Sequence, residues 1–284
     1  NTIFLFYGAQ VVCIHETTPN TFTCSAPVNM HALDISINSI FAAAAYNGTV
    51  FFAVPISTGS DVYKLYACKA ELSGTTLTLT KVGEPQSISQ LRTDGSFGND
   101  QTDCTGLFAD DDGVYCLLTQ RKEEAGKKYA LGQLVRYEYS GSALTKKTEI
   151  GLNPAAPTAD PIAFNAQYFS NPIGFIGYDE DNIYIADDGV NIEYLNENWR
   201  INGNKNRIAA FNRGNDSLSF SDSGATWFTE HAVYKKPNTK ILLWEKGDES
   251  TYYGMKYWLG DSAGTPPPTT ATDALWFSTL QTEN

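Results

Sequence analysis

Three groups of residues in this 284-residue chain have types and spacings that bear on chemistry. The first is the histidines, His15, His31 and His231, which are the whole histidine content. A metal-dependent lyase or lactonase needs several imidazoles or carboxylates converging on one ion, and three histidines this far apart do not supply that by spacing. The second group is two acidic turns, Asp110-Asp111-Asp112-Gly113 and Asp179-Glu180-Asp181-Asn182. Calcium takes six to eight oxygens, so the carboxylates there make Ca²⁺ an option. The EF-hand spacing is absent, and Asp and Gly in a tight turn already have a backbone reason to be there. No cofactor is therefore expected. No Gly-x-Ser-x-Gly elbow occurs, and Gly95-Ser96-Phe97-Gly98 lacks the Lys and helix of a phosphate loop.

The third group carries the binding expectation. Aromatic rings stand beside amides and carboxylates in three polar stretches. One holds Asp94, Asn99, Asp100 and Asp103. Another holds Asp160, Asn165, Gln167, Tyr168 and Asn171. The last holds Asn191, Glu193, Tyr194, Asn198, Trp199 and Arg200. A sugar stacks on a ring and hydrogen-bonds amides, and a protein partner is anchored by Tyr, Trp and Arg. The candidate ligand-binding set is Tyr194, Trp199, Arg200, Asn198, Asn165, Tyr168, Asp100 and Asp103, with no catalytic residue among them. The alternative is that these stretches pack on one another as a structural cap.

The elements that would position them are strands. Residues 39–45 (SIFAAAA) are apolar, Tyr46-Asn47-Gly48-Thr49 is a hairpin turn, and 50–56 (VFFAVPI) is apolar again. Residues 62–71 form a longer alternating strand, and 76–82 (TLTLTKV) alternates strictly. The same syntax recurs at 105–119, 133–149, 172–187 and 205–220, less regularly from 225 to 280, and in a shorter copy at 2–27. Units of four short strands at this period are the signature of a β-propeller. The first two strands of each unit are apolar throughout, as strands buried on both faces are. One domain is expected over 1–284, with units at about 2–38, 39–104, 105–171, 172–224 and 225–284, giving an all-β, five-bladed propeller of four-stranded antiparallel blades. Six blades is the alternative.

Within the fourth unit, GFIGYDEDNIYIADDG (174–189) followed by KNRIAAFN (205–212) resembles an NHL-type propeller repeat. The resemblance covers about residues 173–212. It departs from the repeat by the insertion VNIEYLNENWRINGN, where the family has a short link. It implies the propeller fold, and an Asp at 187 that bonds nearby backbone rather than performing catalysis.

In such a blade, turns after the first and third strands lie at one end, and the remaining connections at the other. Here the first set is tight throughout, and the second set (83–104, 121–132, 151–171, 188–204 and 260–273) is long. Long irregular connections are uncommon and often functional. Their coincidence on one face is the functional expectation, and His31, in the link after the first unit, would stand near the channel mouth.

The formal net charge is −12 and the pI about 4.6, which argues against nucleic acid as a partner. No run approaches the ~18 apolar residues of a membrane-spanning segment. Five cysteines (Cys13, Cys24, Cys68, Cys104, Cys116) form no Cys-x-x-Cys pair. Cys13 and Cys24 flank HETTPNTFT and either close a disulfide or remain free thiols packed as small hydrophobes. Val11 and Val12 before Cys13 do not fit a lipoprotein signal, so a lipid anchor would have to lie upstream. Few charges and many Thr, Asn and Tyr place the chain outside the cytoplasm, in the periplasm or at the cell surface. The expected function is a non-catalytic binding module for a protein or glycan ligand. The alternative is a propeller hydrolase or lyase with a metal or carboxylate site at the channel mouth.

Overall fold

Alternating apolar residues punctuated by Asn-Gly and Asp-rich turns fold here into antiparallel meanders. The computed structural model describes residues 2–19, 21–58, 61–93, 102–124, 127–154, 167–187, 192–195, 198–201, 207–222, 240–248 and 251–260; at 57–58, 123–124, 127–129, 192–201, 207, 221–222 and 240–260 the description is of backbone only. In chain order the strands of the first sheet are β1 (Thr2–Tyr7), β2 (Gln10–Thr18), β3 (Thr21–Cys24) and β4 (Val28–Asn29). The second sheet has β5 (Ala42–Tyr46), β6 (Thr49–Thr58), β7 (Asp61–Ser73), β8 (Thr76–Lys81) and β9 (Gln86–Ser89). The third has β10 (Thr102–Asp110), β11 (Gly113–Glu124), β12 (Lys127–Tyr139) and β13 (Leu144–Ile150). The fourth has β14 (Pro172–Tyr178), β15 (Asn182–Asp187), β18 (Arg207–Asn212) and β19 (Ser217–Asp222). Two hairpins complete the set, β16 (Ile192–Leu195) with β17 (Asn198–Ile201), and β20 (Lys240–Asp248) with β21 (Thr251–Gly260).

The sheets run in sequence order: β1-β2-β3 with β4 also on β2, β5-β6-β7-β8 with β9 also on β7, β10-β11-β12-β13, and β14-β15-β18-β19. Among the described residues the protein is all-β apart from a 3-10 turn at Met30–Ala32. The β5–β6 turn shows why the residue types matter. Asn47 and Gly48 both take positive φ, 44° and 73°, the pairing a two-residue hairpin demands.

The chain divides into two compact units. The first comprises Asn1–Gln90, Thr102–Cys116 and Val135–Thr148, and the second Leu91–Gln101, Leu117–Leu134 and Glu149–Asn284. In the first unit β6 is buried on both faces. Val50, Phe52 and Val54 share a core with Val11 and Cys13 of β2 and with Tyr66, Cys68, Leu77 and Leu79. Phe52 stacks on Tyr66 at 5.2 Å and meets Phe6 at 6.2 Å. On the opposite face Phe51 meets Tyr139 edge to face at 5.4 Å. Each such fully buried ring contributes about 1.5–3 kcal/mol of transfer free energy. That is the physical reason β6 reads TVFFAVPI without polar alternation.

In the second unit the fourth sheet buries Ile176, Tyr184, Ala186 and Ile208 as one cluster, with Ile183, Ile185, Ala209 and Phe211 buried as well. Gly132 of β12 lies so close to the start of β14 that a Cβ there would stand 2.2 Å from the Pro172 ring. Only glycine permits that approach.

Two expectations need correction, and the two alternatives left open for Cys13 and Cys24 resolve to free thiols. The charged stretch 121–132 is not a loop: β11 runs to Glu124 and β12 starts at Lys127. The insertion 188–204 is not irregular throughout, since it contains the β16–β17 hairpin. Cys13 and Cys24 form no disulfide, and all five cysteines are free. The register pairs Ile14, not Cys13, with Cys24. Alternation then sets the two cysteines on opposite faces, Cys13 buried and Cys24 exposed.

Candidate functional site

The fourth sheet has two chemically different ends. At one end lie the tight turns β14–β15 and β18–β19. Asp179, buried, accepts from the backbone N–H of Asp181 and of Asn182, both at 2.9 Å, and from the Tyr184 hydroxyl at 2.6 Å. Burial first, and this bond second, push the Tyr184 phenol well above its ordinary pKa. The Arg213 guanidinium donates to the carbonyls of Asp179 and Glu180, and its backbone N–H to Asp181, so the neighbouring turn is locked to this one. The Asp179 carboxylate is thus engaged by its own turn and by Tyr184.

At the other end the connections are long. Asp187, fully buried at the end of β15, accepts from the N–H of Ser170 (3.1 Å) and of Asn171 (2.7 Å). A buried carboxylate here fixes a segment 16 to 17 residues earlier in the chain. The expectation that this Asp bonds backbone holds, with a more distant partner than a repeat signature implies. Asn171 then accepts from Arg121 Nε at 2.9 Å, and Thr119 Oγ1 donates to the Pro172 carbonyl at 2.5 Å. Nearby in the same unit, the Gln120 side chain accepts from Arg92 N at 2.9 Å, and the Arg92 guanidinium donates to the Asn153 carbonyl at 2.8 Å. Two guanidinium groups, two buried amides and a buried carboxylate thus hold the base of this end in a hydrogen-bonded framework.

Between β15 and β18 the chain makes the β16–β17 hairpin. Its register sets Tyr194 opposite Trp199, Glu193 opposite Arg200, Ile192 opposite Ile201 and Leu195 opposite Asn198. Directly opposed residues share a face. The positions of Tyr194 and Trp199 therefore fall on one face, and those of Asn198 and Arg200 on the other. An aromatic pair and a polar pair are brought together that sequence spacing alone left as separate residues.

Of the other candidates, Tyr168 lies at this same end, half-buried, beside the segment held by Asp187. Asp103 is half-buried in β10 of the first unit. Asn165 and Asp100 lie outside the described residues, as do His231 and residues 261–273 of the last connection. His31 is exposed in the 3-10 turn. Arg92, Gln120 and Arg121 escaped the sequence reading because they sit where a loop was expected, on or beside a strand that continues.

Asp110, Asp111 and Asp112 bring carboxylate oxygens within 4.8 Å of one another. Asp110 accepts from Asp112 N at 2.9 Å, and Arg136 stands 3.7 Å from Asp112. The turn's own N–H and a guanidinium already supply the positive partners. Among the described residues no helix is long and apolar enough to cross a membrane.

A meander of four-stranded antiparallel sheets, carrying a polar framework and an inserted hairpin at one sheet end, is the class these features define. Residues 88–236 match the TdpA C-terminal domain, and the chain belongs to that family. The matched span contains both the NHL-like stretch and the inserted hairpin. The chain is also 34% identical over 111 residues to the "53 kDa membrane antigen A" of Treponema denticola, an alignment covering 38% of this chain and 23% of that protein. The chain thus spans under a quarter of the length of the curated relative it matches. Among solved structures it is similar to a xylan β-1,4-xylosidase from Bacillus halodurans C-125, with 14% identity, a TM-score of 0.43, and coverage of 86% of this chain and 43% of that one. It is also similar to a sialidase from Trypanosoma rangeli, with 9% identity, a TM-score of 0.40, and coverage of 90% and 42%. At these scores neither likeness carries a fold assignment or an activity.

Proposed function

We propose that this chain is a non-catalytic binding module of a bacterial cell envelope, exposed to the periplasm or the exterior, that recognises a glycan or protein through the insertion end of its fourth sheet. Its sheets are the blades of a propeller, five in number, with six as the alternative count. The observation that carries the reading is the β16–β17 hairpin. It is an element that closing β15 onto β18 does not need, and it brings Tyr194 opposite Trp199 and Glu193 opposite Arg200. Aromatic and Arg anchors in that arrangement are what a binding surface uses. The framework of Asp187, Asn171 and Arg121 stands at the end of β15 from which the hairpin's connection departs, and a hydrogen-bonded base is the support such a site needs. The relative's name, a membrane antigen, supports an envelope location.

The test is binding of the purified chain to an array of oligosaccharides and to isolated envelope fractions, with the Tyr194→Ala, Trp199→Ala double variant beside it. The double variant is expected to lose about 1–3 kcal/mol of binding while its melting temperature stays close to the parent's. Equal binding by the two proteins would move the surface elsewhere. Cleavage of a bound glycan by the parent would favour the hydrolase reading instead.

A further inference from the structure

The turn that joins β5 to β6 holds two neighbours that react with each other when the chain is free to bring them together. Asn47 and Gly48 are both exposed, and among the described residues no hydrogen bond holds the Asn47 carboxamide. Glycine in second place puts no side chain beside its own nitrogen. An Asn-Gly step loses ammonia when that nitrogen closes on the Asn side chain, one reason Asn counts as thermolabile. Closure needs the reacting atoms within about 3.5 Å, so the Gly48 nitrogen must swing to the same side of the Cα–C bond as the Asn47 Cβ. The hairpin prevents this. Asn47 has φ 44°, and a residue with a side chain at that φ is confined to the left-handed region, with ψ about +47°. There the Gly48 nitrogen points away from Cβ, and roughly 160° of rotation about ψ separates the two arrangements. The surroundings resist that rotation. Tyr46 pairs with Thr49 and Ala45 with Val50, and the Gly48 carbonyl accepts from the Ala70 N–H at 2.8 Å. Thr49 and Val50 are buried, and Val50 belongs to the core of the first unit. Turning ψ of Asn47 therefore opens the β5–β6 hairpin, and with it the strand on which that core is built.

We propose that Asn47-Gly48 is a deamidation site that the folded hairpin holds shut, and that its reaction turns a passing unfolding of the first unit into a permanent one. In the unfolded chain the Gly48 nitrogen gives its proton to solvent base and attacks Cγ of Asn47. The new C–N bond closes a five-membered imide, and the side-chain nitrogen leaves as ammonia. Water then opens the imide at one carbonyl or the other. One opening leaves aspartate at position 47, which suits the same turn, since Asp-Gly and Asn-Gly share it. The other leaves isoaspartate, in which the backbone runs through Cβ and Cγ and the link is one methylene longer. The register that sets Tyr46 opposite Thr49 then no longer fits a two-residue loop, because loop length fixes hairpin register. Chemical modification of the unfolded state is a general route to irreversible unfolding. The site lies in the first unit and uses none of the residues named for glycan or protein binding.

The test holds the full chain in native buffer and in guanidinium chloride above its unfolding midpoint, at one mildly alkaline pH. Peptide mapping by mass spectrometry follows position 47, with electron-transfer fragmentation separating isoaspartate from aspartate. The second Asn-Gly step, Asn202-Gly203, is counted through its own peptide. Deamidation at position 47 should be at least tenfold slower in the native chain, and at intermediate denaturant its rate should follow the unfolded fraction. After dilution into buffer, refolded and failed chains are separated by size exclusion. Isoaspartate at position 47 should be at least fivefold enriched in the failed fraction. Asn47→Gly keeps a residue suited to positive φ and has no carboxamide to react, so it should lose less refolding yield with time in denaturant than the parent. Equal rates in the native and unfolded chains would show that the turn is no barrier. Equal isoaspartate in the two fractions would show that the product does not block folding. Either result overturns the proposal, as does an Asn47→Gly chain whose yield falls as fast as the parent's.

Discussion

Both ends of the fourth sheet are organised by a buried aspartate, and the two aspartates do different work. Asp179 bonds the N–H groups of Asp181 and Asn182 and the hydroxyl of Tyr184, all within five residues. Asp187 bonds Ser170 and Asn171, across a connection that separates two sheets in sequence. A local clamp shapes its own turn and leaves nothing over. A long-range clamp fixes where another segment passes, which is how a sheet end is made into a platform. Tight turns gather at the first end, and the inserted hairpin is at the second.

Asp187→Ala breaks this contrast most severely. Asp187 is 0% exposed, and its loss strands two buried N–H groups. We expect a cost of about 3 kcal/mol in urea unfolding. Asp179→Ala, whose neighbours lie at the surface of a turn, should cost about 2 kcal/mol. An equal or reversed order would remove the distinction between the clamps.

Alkaline pH sharpens the same contrast. The bonds that Asp187 accepts from Ser170 and Asn171 come from backbone N–H groups, which do not titrate, whereas Asp179 also accepts from the Tyr184 phenol. Elsewhere burial holds the Cys68 and Cys104 thiols, and the Tyr63 and Tyr66 phenols, at about 12. A pKa raised by folding gives stability that is complete below the unfolded value and lost as pH rises through the folded one. Urea midpoints should therefore be flat up to about pH 9 and fall from there towards pH 12. Tyr184→Phe should fall less than the parent over that range, and an unchanged slope would show that Tyr184 is not coupled to folding. At the acid side, hydrogen bonds from Ser36 and then from Tyr66 hold Asp34 at about 2. Its contribution is present above about pH 4 and is lost as pH falls through 2.

The smallest effect expected is that of a chelator. The acidic turns hold their own N–H groups, and Asp112 has Arg136 beside it. Melting with and without a chelator should agree within about 2 °C. A drop of more than about 5 °C, which exceeds 1 kcal/mol for a chain of this length, would make calcium part of the fold.

What could be read from the sequence was local. The Asn47-Gly48 hairpin, the strict alternation of β8 and the apolar runs of β6 and β15 follow from turn chemistry and period-two burial, so the all-β sheets of four antiparallel strands were legible. The extension of β11 and β12 was not. QRKEEAGKK carries no alternation; β11 runs on to Glu124 through Gln120, which is buried, and β12 begins at Lys127 ahead of the buried Leu131. The β16–β17 hairpin was hidden because IEYL and NWRI are only four residues each and no Asn-Gly marks their turn. The reach of Asp187 to Ser170, and the link between Arg121 and Asn171, depend on segments that only the tertiary fold brings together. Tyr194, Trp199, Asn198 and Arg200 were legible as a set of residue types, and their opposition across a hairpin was not.

Under the proposed function the hairpin belongs to recognition and not to the fold. The most direct measurement of this replaces residues 189–205 with a two-residue Asn-Gly link joining β15 to β18, a length sufficient to close a hairpin. The shortened protein is expected to fold, to melt within about 3 °C of the parent and no longer to retain the envelope fraction or glycan that the parent binds. A shortened chain that unfolds would make the hairpin a structural prop. One that folds and binds as the parent does would show that the hairpin has no part in recognition.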